Sequence, residues 1–204
     1  KNIGSFLIMP LKINSIMNNQ TEYFKYLKTR STIGLLYRKF WLYPRLNIYL
    51  EGKTLDIGCG IGDLLSYRKN TFGADINKNM GDWCKSQGYE AELIKNSILP
   101  FEDASYDSVI MDNVLEHIKD PEIILNEVRR VLIADGVFVV GVPGSYGFSI
   151  DPDHKVFYSS DKLVQIITAF GFKKKRLFNM PFSLKFLDKS LRQYCVYGVF
   201  KLNK

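Results

Sequence analysis

The 204-residue chain predicts an α/β fold: a largely parallel sheet with helices on both faces. Three features of the sequence point there. Short apolar runs alternate with helical stretches, neighbouring runs lack tight hairpin turns, and the first run stops at a glycine-rich turn that opens a helix.

Each element follows from its own residues. Lys53-Thr54-Leu55-Asp56-Ile57, halted by Gly58, reads as a buried strand. Residues 71–76 and 90–94 read as the second and third strands, with a polar helix from Asn77 to about Gln87 between them. Residues 106–111 form the fourth strand and 137–142 the fifth, which ends at Pro143. Between these two lies a well-marked helix. Asp120 suits its cap, Pro121 its first position and Glu122 the positive end of its dipole. Ile124, Leu125, Val128, Val131 and Leu132 make one apolar stripe, and Gly136 follows. A later helix, at about 160–170, carries Leu163, Ile166, Ile167 and Phe170 and closes at Gly171. The runs 175–179 and 194–200 predict an antiparallel pair at one end of the sheet.

Residues 1–50 read as an N-terminal extension and helical cover, and 51–204 as the sheet domain. The cover mixes Tyr23, Phe24, Tyr26, Tyr37, Phe40, Trp41, Tyr43 and Tyr49 with Lys25, Lys28, Arg30, Arg38, Lys39 and Arg45, a composition that suits docking onto the sheet. Residues 1–9 read as a remnant or upstream extension. Pro10 interrupts their apolar run and no small-residue cleavage site follows, so a secretory leader is not expected.

Composition narrows the class. With 46% hydrophobic and 24% charged residues the chain is neither disordered nor collagenous, and no stretch approaches the ~18 apolar residues of a membrane span. Cys59, Cys84 and Cys195 are odd in number and match no zinc pattern, which predicts reduced thiols and a cytoplasmic location. The charge is uneven. Residues 1–50 hold eight bases and one acid, 51–150 nine and sixteen, and 151–204 eleven and four. Basic ends suit a phosphorylated substrate, nucleic acid or an anionic surface, or are merely solvated.

The sharpest motif is Leu55-Asp56-Ile57-Gly58-Cys59-Gly60-Ile61-Gly62-Asp63. Glycines at a strand-to-helix turn let a ligand approach the backbone, and the N–H groups at the helix start favour a polar or anionic group. The pattern is not the G-x-G-x-x-G fingerprint, because its last place falls on Asp63. Asp75 closes the next strand, 17 residues after Gly58, where a ribose presents its hydroxyls to a carboxylate; the alternative is a strand-end acid facing water.

With these residues in place, the chain from about Gly52 to Phe172 resembles the class I S-adenosylmethionine-dependent methyltransferases of the small-molecule, type 11-like kind. The landmarks are Leu55–Gly62, Gly73–Ile76, Leu99–Phe101, Tyr106–Ile110, Val114–Ile118 and Glu127–Leu132 before Gly136. The resemblance implies a Rossmann-like doubly wound sheet of seven strands, mostly parallel, with an antiparallel C-terminal hairpin. It also implies S-adenosyl-L-methionine as cofactor and S-adenosyl-L-homocysteine as product. By position Asp56, Gly58 and Gly60 hold the methionine part, Asp75 the ribose, and Ile76 packs on adenine. The family's acid toward the adenine amino group falls on Lys95, so Asn96 or Ser97 serves instead. Asp112 and Asn113, at the carboxyl end of the fourth strand, line the passage to the methyl group. Cys59 occupies a variable place and packs.

Methyl transfer from a sulfonium needs alignment above all, and a base only for a protonated nucleophile. His154 is the expected base, with Asp153 as fallback, and His117 is structural or pocket-lining. Asp151, Asp153 and His154 offer metal-ligand atoms without a fourth partner, so no metal is expected. Asp112-Asn113-Val114-Leu115 departs from the Pro-Pro-aromatic run of nucleic-acid amino-methyltransferases, which argues against nucleic acid. The stretch 151–158 resembles enzymes of surface-polysaccharide and secondary-metabolite synthesis, which implies O-methylation of a sugar or similar hydroxyl on a small, possibly phosphate-linked acceptor. The other classes are a non-catalytic S-adenosylmethionine-binding scaffold, and a membrane-surface protein, which the lack of a clean apolar face in residues 21–50 disfavours.

Overall fold

The computed structural model describes residues 20–29 and 31–203. The reading of residues 1–9, the basic residue Arg30 and the side chains of Tyr23 and Tyr26 lie outside the described residues. Helix α1 spans Gln20–Lys28. Helix α2, Thr32–Tyr37, runs through a widened π turn, Arg38–Leu42, into α3, Tyr43–Asn47. Then come β1 (Thr54–Ile57), α4 (Asp63–Tyr67), β2 (Thr71–Asp75), α5 (Lys78–Ser86), β3 (Ala91–Leu93) and β4 (Tyr106–Asp112). A 3-10 turn at Leu115–His117 leads to α6 (Glu122–Val131), β5 (Leu132–Pro143) and α7 (Ser145–Ser149). Helix α8 (Ser160–Ala169), β6 (Phe172–Met180), a 3-10 turn at Lys185–Lys189 and β7 (Cys195–Leu202) complete the order.

The strands form one seven-stranded sheet in the order β3-β2-β1-β4-β5-β7-β6. Strands β1 to β5 are parallel, whereas β7 runs antiparallel between β5 and β6. This is the doubly wound, mostly parallel arrangement that the sequence predicts. Register aligns Ile57 with Ala74 and Met111, so the carboxyl ends of β1, β2 and β4 share one edge.

Two apolar layers hold the sheet. Val109, Met111, Phe138 and Val140 face Leu125, Val128 and Val131 of α6 and Leu163 and Ile167 of α8. Alternate residues point the other way: Ile110, Val139, Tyr197 and Val199 meet Leu42, Tyr43, Leu46 and Leu50 of the N-terminal helices. Each fully buried aliphatic or aromatic side chain contributes roughly 1.5–3 kcal/mol. The N-terminal helices are therefore one wall of the core.

Some local expectations fail for identifiable reasons. Asp120 does not cap α6. The Pro121 carbonyl already accepts from Leu125 N at 3.0 Å, so the helix starts one residue later and no side chain caps it. His117 sits in a single 3-10 turn rather than a helix. Strand β5 begins at Leu132, before the apolar run, because Leu132 pairs with Tyr106 across a register shift.

Helix α6 also pins the loop before β4. Glu127 Oε2 accepts from Leu99 N at 2.8 Å. Arg130 donates to that carboxylate and to the carbonyls of Leu99 and Phe101 at 2.9 and 2.7 Å. The Arg130 hydrogen bond holds the Glu127 carboxyl below its ordinary value. A carboxyl depressed on folding adds stability above its unfolded pKa and loses it as pH falls through the folded one. Glu127→Gln should therefore cost about 1–3 kcal/mol at neutral pH. Urea unfolding at neutral and at strongly acidic pH should show that difference shrinking in acid.

Candidate active site

The strand order reverses between β1 and β4, and on open α/β sheets ligands lie at such a switch point, beyond the strand carboxyl ends. A cavity of about 430 Å³ opens there.

Its floor is the glycine turn. Gly58, Gly60 and Gly62 all have positive φ, at 76°, 53° and 82°. Gly58 is the tightest, because a Cβ there would strike Val114 Cγ2. Gly62, left-handed, opens α4.

Asp75 ties this turn to the next strand. Its Oδ2 accepts from Gly60 N at 2.9 Å and its Oδ1 from Asn77 N at 2.8 Å. The Asn77 side chain then accepts from Asn79 N and caps α5. A carboxylate offers about four acceptor positions, more than these backbone donors fill, and Asp75 lines the cavity. Burial raises the Asp75 carboxyl, and the backbone N–H groups pull it back.

The rest of this end is acidic. Burial pushes Asp56 well above its ordinary value, and the Asp112 and Asp75 charges push it further. Asp112 Oδ1 accepts from Tyr197 Oη at 2.6 Å and from Asn113 Nδ2 at 2.9 Å. Arg38, at the start of the π turn, also lines the cavity, 3.6 Å from Asp63 Oδ2. Such a lining suits a ligand with cationic centres, adjacent hydroxyls and one carboxylate for Arg38.

The sequence-predicted residues separate here. Asp56, Gly58, Gly60, Asp75, Ile76, Ser97, Asp112 and Asn113 all line the cavity. Ile76 is 70% exposed at its rim, an apolar side chain open to a flat ring. Asn96 is exposed and outside the lining. It and Ser97 both adopt left-handed backbone in the turn closed by Lys95 and Ile98, and of the two only Ser97 reaches the cavity.

At the far end His117 and Asp153 line the cavity, whereas His154 does not. Lys155 N and Val156 N donate to the Glu116 carbonyl at 2.8 and 3.0 Å, folding the 151–157 loop back over the 3-10 turn. That tucks His154 behind His117, with ring centres 4.7 Å apart, and stacks it on Phe148. His154 is therefore displaced as the base that faces substrate. His117 Nδ1 lies 3.3 Å from Asp153 Oδ2, and burial lowers the His117 pKa. Beneath both rings Glu116 is buried, and desolvation pushes its carboxyl up to about 8.

Sequence reasoning missed Arg38, Leu27 and Tyr43, which line the cavity from the N-terminal helices. Their segment was marked as basic and aromatic. Only the π turn decides which of its cations faces inward.

Residues 55–140 match the family described as "Methyltransferase domain". An uncharacterized protein of Methanocaldococcus jannaschii is 30% identical over 92 residues, 45% of each chain. A Mycolicibacterium smegmatis protein named "Probable S-adenosylmethionine-dependent methyltransferase" is 27% identical over 163 residues, 71% of this chain and 63% of that one. The fold is shared with a Thermotoga maritima structure titled "SAM-dependent methyltransferase, possible histamine N-methyltransferase". The two align at TM-score 0.69 and 19% identity, over 88% of this chain and 97% of that one.

Residues 55–140 are a methyltransferase domain.

The alignments span less than half the length of the first curated relatives, 45% and 37%. The family's cofactor is S-adenosyl-L-methionine, and the methyltransferase cavity fits it. Asp75 would take the ribose hydroxyls, Ile76 the adenine face, the acidic floor the cationic centres, and Gly58 leaves room for close approach. Among the described residues no helix is long and apolar enough to cross a membrane.

Gly58→Ala adds a methyl against Val114 at a left-handed residue, which strains the turn and narrows the cavity. Calorimetry should show at least ~100-fold weaker S-adenosylhomocysteine binding, about 2.7 kcal/mol. Thermal melting should fall by only a few degrees.

Proposed function

We propose that this chain transfers a methyl group from S-adenosyl-L-methionine to a hydroxyl of a small, sugar-like acceptor. The observation that carries the reading is the acidic, glycine-floored cavity latched by Asp75, continuous with an acceptor end that holds His117 and Asp153. When bound, S-adenosylmethionine supplies a methyl group on a cationic sulfur that leaves as a neutral thioether.

The chain's own residues then position and deprotonate. Arg38 binds the cofactor's carboxylate, which places the methionine part along the floor. Asp56 and Asp112 face the positive centres. Asn113 and Val114 narrow the passage toward His117.

An incoming hydroxyl must lose its proton as it is methylated, and Asp153 is the acceptor that fits. It lines the cavity, and its oxygens lie 3.3 Å from His117 Nδ1 and 3.1 Å from Lys155 Nζ. The Lys155 ammonium donates to the carboxylate and keeps it in place. His154 supports the His117 ring from behind. Lys155 adds positive charge at this rim, which suits a phosphate-linked acceptor.

Labelled methyl transfer should be measured on a panel of sugars, sugar nucleotides, small acids, a quinone and RNA. Transfer to a hydroxylated sugar supports the reading. Transfer confined to another class overturns the acceptor, and binding without transfer to any of them favours the scaffold alternative. Asp75→Asn should weaken S-adenosylhomocysteine binding at least ~10-fold, about 1.4 kcal/mol. Asp153→Asn should lower kcat by ~10²-fold with S-adenosylhomocysteine affinity unchanged.

A further inference from the structure

Under the acceptor end lies a group of side chains that methyl transfer by positioning does not use. The Glu116 side chain is 1% exposed, and neither carboxylate oxygen has a hydrogen-bond donor. Two imidazoles face it: His154 Nε2 lies 3.7 Å and His117 Nε2 3.9 Å from Glu116 Oε1. One ligand atom from each of the three residues falls within 4.8 Å of the others.

The proton on the His154 ring can be placed from its other nitrogen. His154 Nδ1 is 3.0 Å from the Phe148 carbonyl, which only accepts, so Nδ1 carries the hydrogen and Nε2 is bare. His117 Nδ1, 3.3 Å from Asp153 Oδ2, is buried without a hydrogen bond, so either of its nitrogens can carry the hydrogen. A bare His154 nitrogen, a second imidazole and a carboxyl without a hydrogen-bond partner thus converge in a buried space. A buried polar group left without a partner is costly, and a shared cation would satisfy all three side chains. A carboxylate or carbonyl on the far nitrogen is also the arrangement that orients metal-binding histidines.

We propose that Glu116, His117 and His154 form a binding site for a divalent transition-metal ion. Two imidazoles select zinc, iron, cobalt or nickel over magnesium, calcium and manganese, which take oxygen ligands. Zinc or its neighbours sit about 2.0–2.2 Å from such atoms, which sets ligand–ligand separations near ~3.4 Å in a tetrahedron. The 3.7 and 3.9 Å pairs need to close by a few tenths of an ångström, and the set as a whole, within 4.8 Å, must draw in by at most ~1.4 Å. Three protein ligands leave a position open, and His117, which also lines the cavity, would link the ion to the acceptor end. That link rests on the methyl-transfer reading, whereas the metal site does not.

The test uses the full chain, stripped with a chelator and titrated with Co²⁺ and Zn²⁺ by calorimetry and visible absorption, with S-adenosylhomocysteine binding measured on the same sample. The expected result is one equivalent bound, with a cobalt d–d band that reports nitrogen and oxygen ligands. Glu116→Gln keeps the side chain's shape and should bind the ion at least ~10-fold more weakly, as should His154→Ala, while S-adenosylhomocysteine affinity holds. Folded wild type that takes up neither ion, or a Glu116→Gln protein that binds as tightly as wild type, overturns the site. Metal binding without S-adenosylhomocysteine binding would sink the methyl-transfer reading and leave the metal site standing.

Discussion

The site depends on one carboxylate. Asp75 closes β2 and sends one oxygen back to Gly60 N and the other forward to Asn77 N, so that a single side chain fixes the turn after β1 and the start of α5. The turn itself consists of residues in left-handed conformations, which glycine adopts at little steric expense and which an isolated peptide would not hold in one arrangement. The Gly60–Asp75 hydrogen bond across the gap between the strands holds it, together with Gly58 N and Cys59 N donating to the Ala74 carbonyl. The same carboxylate lines the cavity, so the group that shapes the pocket also borders it. Loss of the carboxylate would loosen the floor and remove a ligand contact together.

Around this latch the chain gathers acids that burial and mutual repulsion make uncomfortable. Asp56, Asp75 and Asp112 all have carboxyls raised by burial, and Asp112 keeps its place through Tyr197 and Asn113. A positive charge placed among them would favour their ionised forms. Arg38 balances the set from the N-terminal helices, which makes the cover part of the pocket as well as of the core.

How much of this was legible depends on how local each signal is. The strand ends, the glycine turn and Asp75 were readable because each obeys a rule of its own neighbourhood: an apolar run, a positive φ, an acid at a strand terminus. Asn96 and Ser97 were not separable, since consecutive left-handed residues turn their side chains by an amount that no spacing records. Arg38 was hidden for a similar reason. A π turn shifts the phase of a helix, and hydrophobic periodicity at 3.6 residues cannot say which basic residue then faces inward. Asp120 failed as a cap by a single residue, within the ordinary uncertainty of helix ends.

His154 shows the remaining kind of failure. Its place in a loop after β5, at the ligand-binding edge, is correct, but the side chain's direction is set by a contact made far away in sequence. The Glu116 carbonyl accepts from both Lys155 N and Val156 N, and this pair folds the loop so that His154 turns inward onto Phe148. The result is a division of labour that the sequence alone does not reveal. The cofactor end is made largely of backbone and carboxylates held by local hydrogen bonds, so its residues announce themselves by pattern. The acceptor end is made of side chains from the turn after β4 and the loop after β5, brought together only by long-range packing. The far end of the cavity therefore lies where sequence pattern is weakest, and the Glu116 carboxyl there is buried without a hydrogen-bond partner beneath two imidazoles.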